Sequence, residues 1–167
     1  MFVPFESMSP TSRVWIDQAG RKLSEHHKTI IPGYLKLFTE EWAAHGQPLK
    51  ASFDIQYDQF IIVRADEGFN AASGCSIDAS VRVVKEIEKE LQLDLFNRDQ
   101  VAFKKESEVA LVSVRDLKQK YRDGTWNENT PTFNNLIDVK GQLAEEWIIP
   151  AGSTWLKRYL SSETLAN

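Results

Sequence analysis

Residues 51–65 read ASFDIQYDQFIIVRA, and this stretch decides the fold. Ala51 to Tyr57 alternates, with Phe53, Ile55 and Tyr57 opposite Ser52, Asp54 and Gln56. Period-two patterning marks a strand with one apolar and one solvated face. Phe60 to Ala65 is almost continuously apolar, as expected of an interior strand covered on both sides. Asp58-Gln59 between them has turn chemistry. The sequence therefore predicts an antiparallel pair whose second member is interior.

Working outward, Arg13 to Gln18 (RVWIDQ) reads as a first strand, with Val14 and Ile16 on one face and Trp15 on the other. Residues 24–45 read as a helix with Ser24 as N-cap and Leu35, Phe38 and Trp42 on its apolar stripe. Pro32-Gly33 predicts a break within it, and Gly46 suits a left-handed residue past its end. A second helix is expected from about Asp78 to Leu91, with Val84, Ile87 and Leu91 as its stripe. A further strand lies within 101–114, centred on Val109 to Val114. The order β-α-β-β-α-β predicts an α+β fold with a ferredoxin-like split β-α-β core and an antiparallel sheet. That core spans residues 1–114. Residues 115–167 are expected to pack on it as a C-terminal extension of the same domain, with Trp147 and Trp155 buried.

Composition bounds the function. The chain has 167 residues, 42% hydrophobic and 26% charged, with a net charge of −4, an ordinary globular mixture. Residues 1–65 carry 7 basic and 7 acidic side chains, residues 66–114 carry 6 and 10, and residues 115–167 carry 7 and 7. A nucleic-acid binder shows a basic face; here the excess is acidic, so no nucleic-acid partner is expected. No apolar run is long enough to span a bilayer, and the opening MFVPFESMSP lacks the basic and apolar regions of a signal peptide. One cysteine, with no C-x-x-C or Cys/His ligand set, argues against a disulfide or zinc site. The expectation is a cytoplasmic monomer or homodimer with no membrane association, no cofactor and no metal, whose partner is a small ligand or a protein.

Candidate chemistry concentrates between Asp66 and Asp78, DEGFNAASGCSID. In a split β-α-β sheet the loop into the second strand, the loop out of the third and the segment entering the first open at one end. That would gather Ser7 to Ser12, His45-Gly46-Gln47 and Asn70 to Asp78 on one rim. Cys75 is then a candidate nucleophile, its thiolate favoured by a helix start and by His45; the plainer reading is a small buried hydrophobe. His45 could also be an ordinary helix C-terminal histidine. Asn70, Ser73, Gly74, Ser76 and Asp78 form a candidate ligand cradle of N–H groups and hydroxyls, with helix capping by Ser76 or Asp78 as the plainer alternative. Asp54, Asp66, Glu67 and Asp78 could act as acid–base groups but match no EF-hand spacing, and His26 and His27 read as solvated residues. The leading function is a non-catalytic binding or interaction module with its ligand rim at 66–78; the alternative is a thiol-dependent enzyme using Cys75 with His45.

SPTSRVWI (Ser9–Ile16), WAAHGQPLKASF (Trp42–Phe53), NAASGCSID (Asn70–Asp78), FNNLI (Phe133–Ile137) and the distal Trp147, Pro150 and Trp155 resemble a small uncharacterised bacterial protein family. Its members often carry the automatic label "ABC transporter ATPase". The resemblance supplies no mechanism, and the label fails on motif grounds. A P-loop needs G-x-x-x-x-G-K-[ST], whereas this chain has no Gly-Lys dipeptide and no ABC signature.

Overall fold

The computed structural model describes residues 1–68 and 70–160. Phe69, within the expected rim, and residues 161–167, within the expected extension, lie outside the described residues. The protein is mixed α+β with antiparallel sheets. Its contacts divide it into two compact units, one of Met1–Asn97 with Asp138–Gly141, the other of Arg98–Ile137 with the described residues from Gln142 onward.

The first unit contains β1 (Arg13–Gln18), α1 (Glu25–Glu41), the two-residue strands β2 (Ala43–Ala44) and β3 (Gln47–Pro48), β4 (Lys50–Gln56), β5 (Phe60–Asp66) and α2 (Gly74–Leu91). Its sheet runs β1-β5-β4 with both pairs antiparallel, so the continuously apolar strand is the interior one. Ala51, Ile61, Val63 and Ala65 point to one face and pack with Ile31, Leu35, Val84 and Ile87 of the helices. Phe2 bridges Ala51 in parallel at the β4 edge, and Val139 bridges Arg13 at the β1 edge.

Four expectations need correction. α1 is unbroken through Pro32; Ile31 and Leu35, both 0% exposed, anchor it to the core on either side, and tertiary packing outweighs the missing N–H. α2 starts at Gly74 instead of Asp78, because Ser73 rather than Ser76 or Asp78 is the N-cap. The polar face of β4 is not open to solvent: Ser52 is 0% exposed, and Asp54 and Gln56 are half-buried. Val109–Val114 does not add a fourth strand to this sheet. It falls in β7 (Glu108–Ser113), which pairs with β6 (Gln100–Lys105) in a separate sheet.

The second unit is built on that hairpin. Its sheet runs β7-β6-β8-β9, with β8 at Pro131–Phe133 and β9 at Ile148–Pro150, and α3 spans Leu117–Arg122. The contact boundary thus falls at Asn97/Arg98 rather than after Val114. Trp126, 1% exposed, centres its core, stacking on Phe103 at 5.4 Å and donating its indole N–H to the Leu117 carbonyl. Trp147 is buried as expected, against Phe133. Trp155 is 48% exposed, contrary to expectation; its neighbour Leu156, next along the final 3-10 turn, takes the interior position.

Candidate functional site

The register settles which chain ends meet in the first unit. Arg13, Ala65 and Ala51 stand in one row across β1, β5 and β4. The entry to β1, the exit from β5 and the entry to β4 therefore share one end of the sheet, as the sequence reading required.

At that end the chain between α1 and β4 forms a miniature hairpin. Ala43 pairs with Pro48 and Ala44 with Gln47, leaving His45-Gly46 as a two-residue turn. Both have positive φ, 52° and 75°, the mirror-image turn that matches strand twist and favours glycine at its second position. His45 is thus an exposed turn residue and not the end of a helix.

The loop from β5 to α2 is tied to this hairpin. Asn70 Nδ2 donates to the Ala44 carbonyl at 2.9 Å and to the Gln47 carbonyl at 3.3 Å, clasping the turn from both sides. Trp42 Nε1 donates to the Ser76 carbonyl at 2.8 Å, joining the end of α1 to the first turn of α2. The loop also organises itself. Asp66 Oδ1 accepts the Gly68 N–H, Glu67 Oε1 accepts the Ala72 N–H, and Arg13 lies 3.7 Å from the same oxygen. These carboxylates hold backbone in place.

Ser73 and Ser76 form a capping box. Ser73 Oγ accepts the Ser76 N–H at 3.2 Å, and Ser76 Oγ accepts the Ser73 N–H at 2.8 Å. Ser76 Oγ also donates to the Ser73 carbonyl. Two amides and both serine hydroxyls of the expected cradle are therefore engaged within the cap. Gly74, Cys75 and Asp78 are exposed, as is His45. Among the described residues no hydrogen bond or ion pair joins Cys75 to His45. The structure brings Asn70, Ser73, Gly74, Cys75, Ser76, Asp78 and His45 to one rim, and separates them into a buried scaffold (Ser76, with half-buried Asn70 and Ser73) and an exposed surface.

Sequence reasoning missed two polar positions. His27 is 7% exposed and caps α1: its Nδ1 accepts the Ser24 N–H while Ser24 Oγ accepts the His27 N–H. Burial, then Arg21 and His26, hold its pKa below the ordinary histidine value. The S-x-x-H spacing mimics the S-x-x-E/Q signature and could have flagged it. Arg64, 2% exposed, was hidden inside the apolar run FIIVRA, where a lone arginine was itself the signal.

Among the described residues no helix is long and apolar enough to cross a membrane. No family model, curated protein or solved structure matches the chain.

Proposed function

We propose that the chain is a binding module without catalytic chemistry of its own, contacting a small ligand or a protein through the rim of residues 66–78 and the hairpin of residues 43–48. The observation that carries this reading is the double clasp of Asn70 on the Ala44 and Gln47 carbonyls. It makes one rigid ledge of two segments distant in sequence, and contact residues on loops held by a rigid scaffold are the usual arrangement for recognition. Asn70, Ser73 and Ser76 build the ledge; Gly74, Cys75, Asp78 and His45 offer an accessible amide region, a thiol, a carboxylate and an imidazole. The thiol-enzyme reading lacks the oriented nucleophile–base contact that such chemistry uses. The same proposal takes the first unit as the β-α-β-β-α part of a ferredoxin-like arrangement without its fourth strand, supported by the β1-β5-β4 order with a helix after β1 and after β5. It also keeps the cytoplasmic setting and the family resemblance, without the ATPase label.

Alkylation kinetics separate the two readings. With iodoacetamide at neutral pH, a binding module predicts that Cys75 in the wild type and in His45→Ala reacts within a factor of about two of a short peptide thiol. Fast reaction that slows about tenfold or more in His45→Ala would establish the enzyme reading instead.

A further inference from the structure

The second face of the first unit's sheet carries polar side chains where a core would place apolar ones. Arg64 sits in the interior strand β5, directly opposite Ser52 of β4 and Val14 of β1. Cross-strand partners on one face have Cβ atoms about 5 Å apart. Ser12 immediately precedes β1, two residues before Val14, and its carbonyl accepts the Lys140 N–H. Arg64 is 2% exposed, and Ser12 and Ser52 are 0% exposed. Arg64 Nε, Ser12 Oγ and Ser52 Oγ have no hydrogen-bond partner among the described residues. Three unpartnered buried polar atoms in and beside one sheet are unusual, since buried polar groups are nearly always paired.

The charge is as unbalanced as the hydrogen bonding. Arg64 Nη1 donates to the Phe5 carbonyl at 3.0 Å, and the Phe5 ring lies over the guanidinium. Among the described residues no carboxylate is within ion-pair distance of Arg64. Asp54 lies on that face by register and accepts hydrogen bonds from the Ile55 N–H and from Gln56 Nε2; Asp66, two residues along β5, accepts the Gly68 N–H. Lys140 adds a second cation: its ammonium donates to the Glu6 and Met8 carbonyls, and its backbone N–H donates to the Ser12 carbonyl. Burial lowers the Arg64 pKa to about 10, against the opposing pull of Asp54 and Glu6. Burial and then the neighbouring Arg64 lower Lys140. A buried cation without a counter-ion in contact is costly, and what would relieve it is a group with negative charge and several acceptor lone pairs.

We propose that Arg64, Ser52 and Ser12 form a buried site for an oxyanion, a phosphate or a carboxylate group, covered by the Phe5–Ser7 turn. The Arg64 Nε–H and the two hydroxyls are three unpartnered donors, and Lys140, close enough to Arg64 for their charges to interact, supplies further positive potential. Charge-assisted donation of this kind is the strong form of the hydrogen bond. Every residue named belongs to the first unit, and none of Arg64, Ser52, Ser12 and Lys140 falls within residues 66–78 or the hairpin of residues 43–48.

The test uses the full chain at neutral pH and constant ionic strength, with chloride replaced stepwise by inorganic phosphate or by acetate. The expected result is a saturable rise in melting temperature with at least one of the two; which one identifies the group. Ser52→Ala and Ser12→Ala each remove an unpartnered buried hydroxyl. They should melt in chloride at or above the wild-type temperature while binding the anion about tenfold or more weakly. The Arg64 Nε–H resonance should shift over the same concentration range, which keeps the test decisive should a serine variant fail to fold. No saturable anion effect in the wild type, an unmoved Arg64 Nε–H, or serine variants that respond like the wild type would overturn the proposal. The last result would mark the effect as the general stabilisation that phosphate confers by exclusion from protein surfaces.

Discussion

Trp42 is where the rim is joined to the core, so its replacement tests that connection most severely. It follows α1 directly, is 2% exposed, and packs on Phe38 at 4.8 Å and Trp15 at 5.6 Å. Its indole N–H reaches the Ser76 carbonyl in the first turn of α2. Trp42→Ala removes a fully buried ring and should cost about 3–5 kcal/mol, a large fraction of the roughly 5–15 kcal/mol that stabilises a domain. For a unit of about 60–100 residues, 1 kcal/mol moves the midpoint about 4–8 °C. The melting temperature of the first unit should therefore fall by more than about 10 °C. Trp42→Phe keeps most of the apolar contact and loses the hydrogen bond, about 0.5–1.5 kcal/mol. Its distinctive effect should be local: faster hydrogen exchange at the Ser76 and Ile77 amides, with the centre of α2 unchanged. Thermal denaturation followed by circular dichroism gives the first number, and residue-resolved exchange the second. Trp42→Ala within about 1 kcal/mol of wild type, or Trp42→Phe with wild-type exchange at Ser76 and Ile77, would refute the reasoning.

Three further outcomes follow from the same geometry. His27 is lowered by burial in the folded chain, so below the ordinary histidine value near 6.5 the unfolded chain takes up more protons; stability should be full above that pH and decline as pH falls through it, and the pH dependence should flatten in His27→Gln, which preserves the acceptor for the Ser24 N–H. Trp147→Ala should destabilise the second unit by about 3–5 kcal/mol, because the ring is 2% exposed and its N–H donates to Asn135 Oδ1. Trp155→Ala, at a 48% exposed site, should change the melting curve by less than about 1 kcal/mol.

Much of the first unit was legible because its signals are local. The alternation of residues 51–57 and the apolar run of residues 60–65 identified two strands and set which is interior. The shared end of the sheet followed, and with it the meeting of residues 43–48 with residues 70–78. Where local pattern and tertiary packing disagreed, packing prevailed: Pro32 lies inside a continuous helix because Ile31 and Leu35 are both fixed in the core. The second unit was hidden by its turn chemistry. Glu106 takes the positive φ of the β6–β7 turn without glycine or proline, and Lys104 and Lys105 interrupt the apolar pattern, so two strands read as one. Period-two patterning also cannot say which sheet a strand joins, and residues 109–113 pair in the second sheet, not the first. Arg64 is hard to read from sequence for a related reason: hydropathy averages a lone cation into its apolar neighbours, and its burial depends on a segment, Phe5 to Ser12, that has no periodicity.

The most direct measurement of the binding reading is a residue-resolved map of ligand contact. The isotopically labelled full chain, held in chloride buffer, is titrated with a panel of small polar compounds and short peptides while every backbone amide is followed. The account predicts saturable shifts that move Asn70 to Asp78 and Ala43 to Gln47 together, because Asn70 joins the two segments, and that disappear in Asn70→Ala. Saturable shifts confined to other parts of the chain, movement of one segment without the other, or no saturable shift across the panel would contradict it.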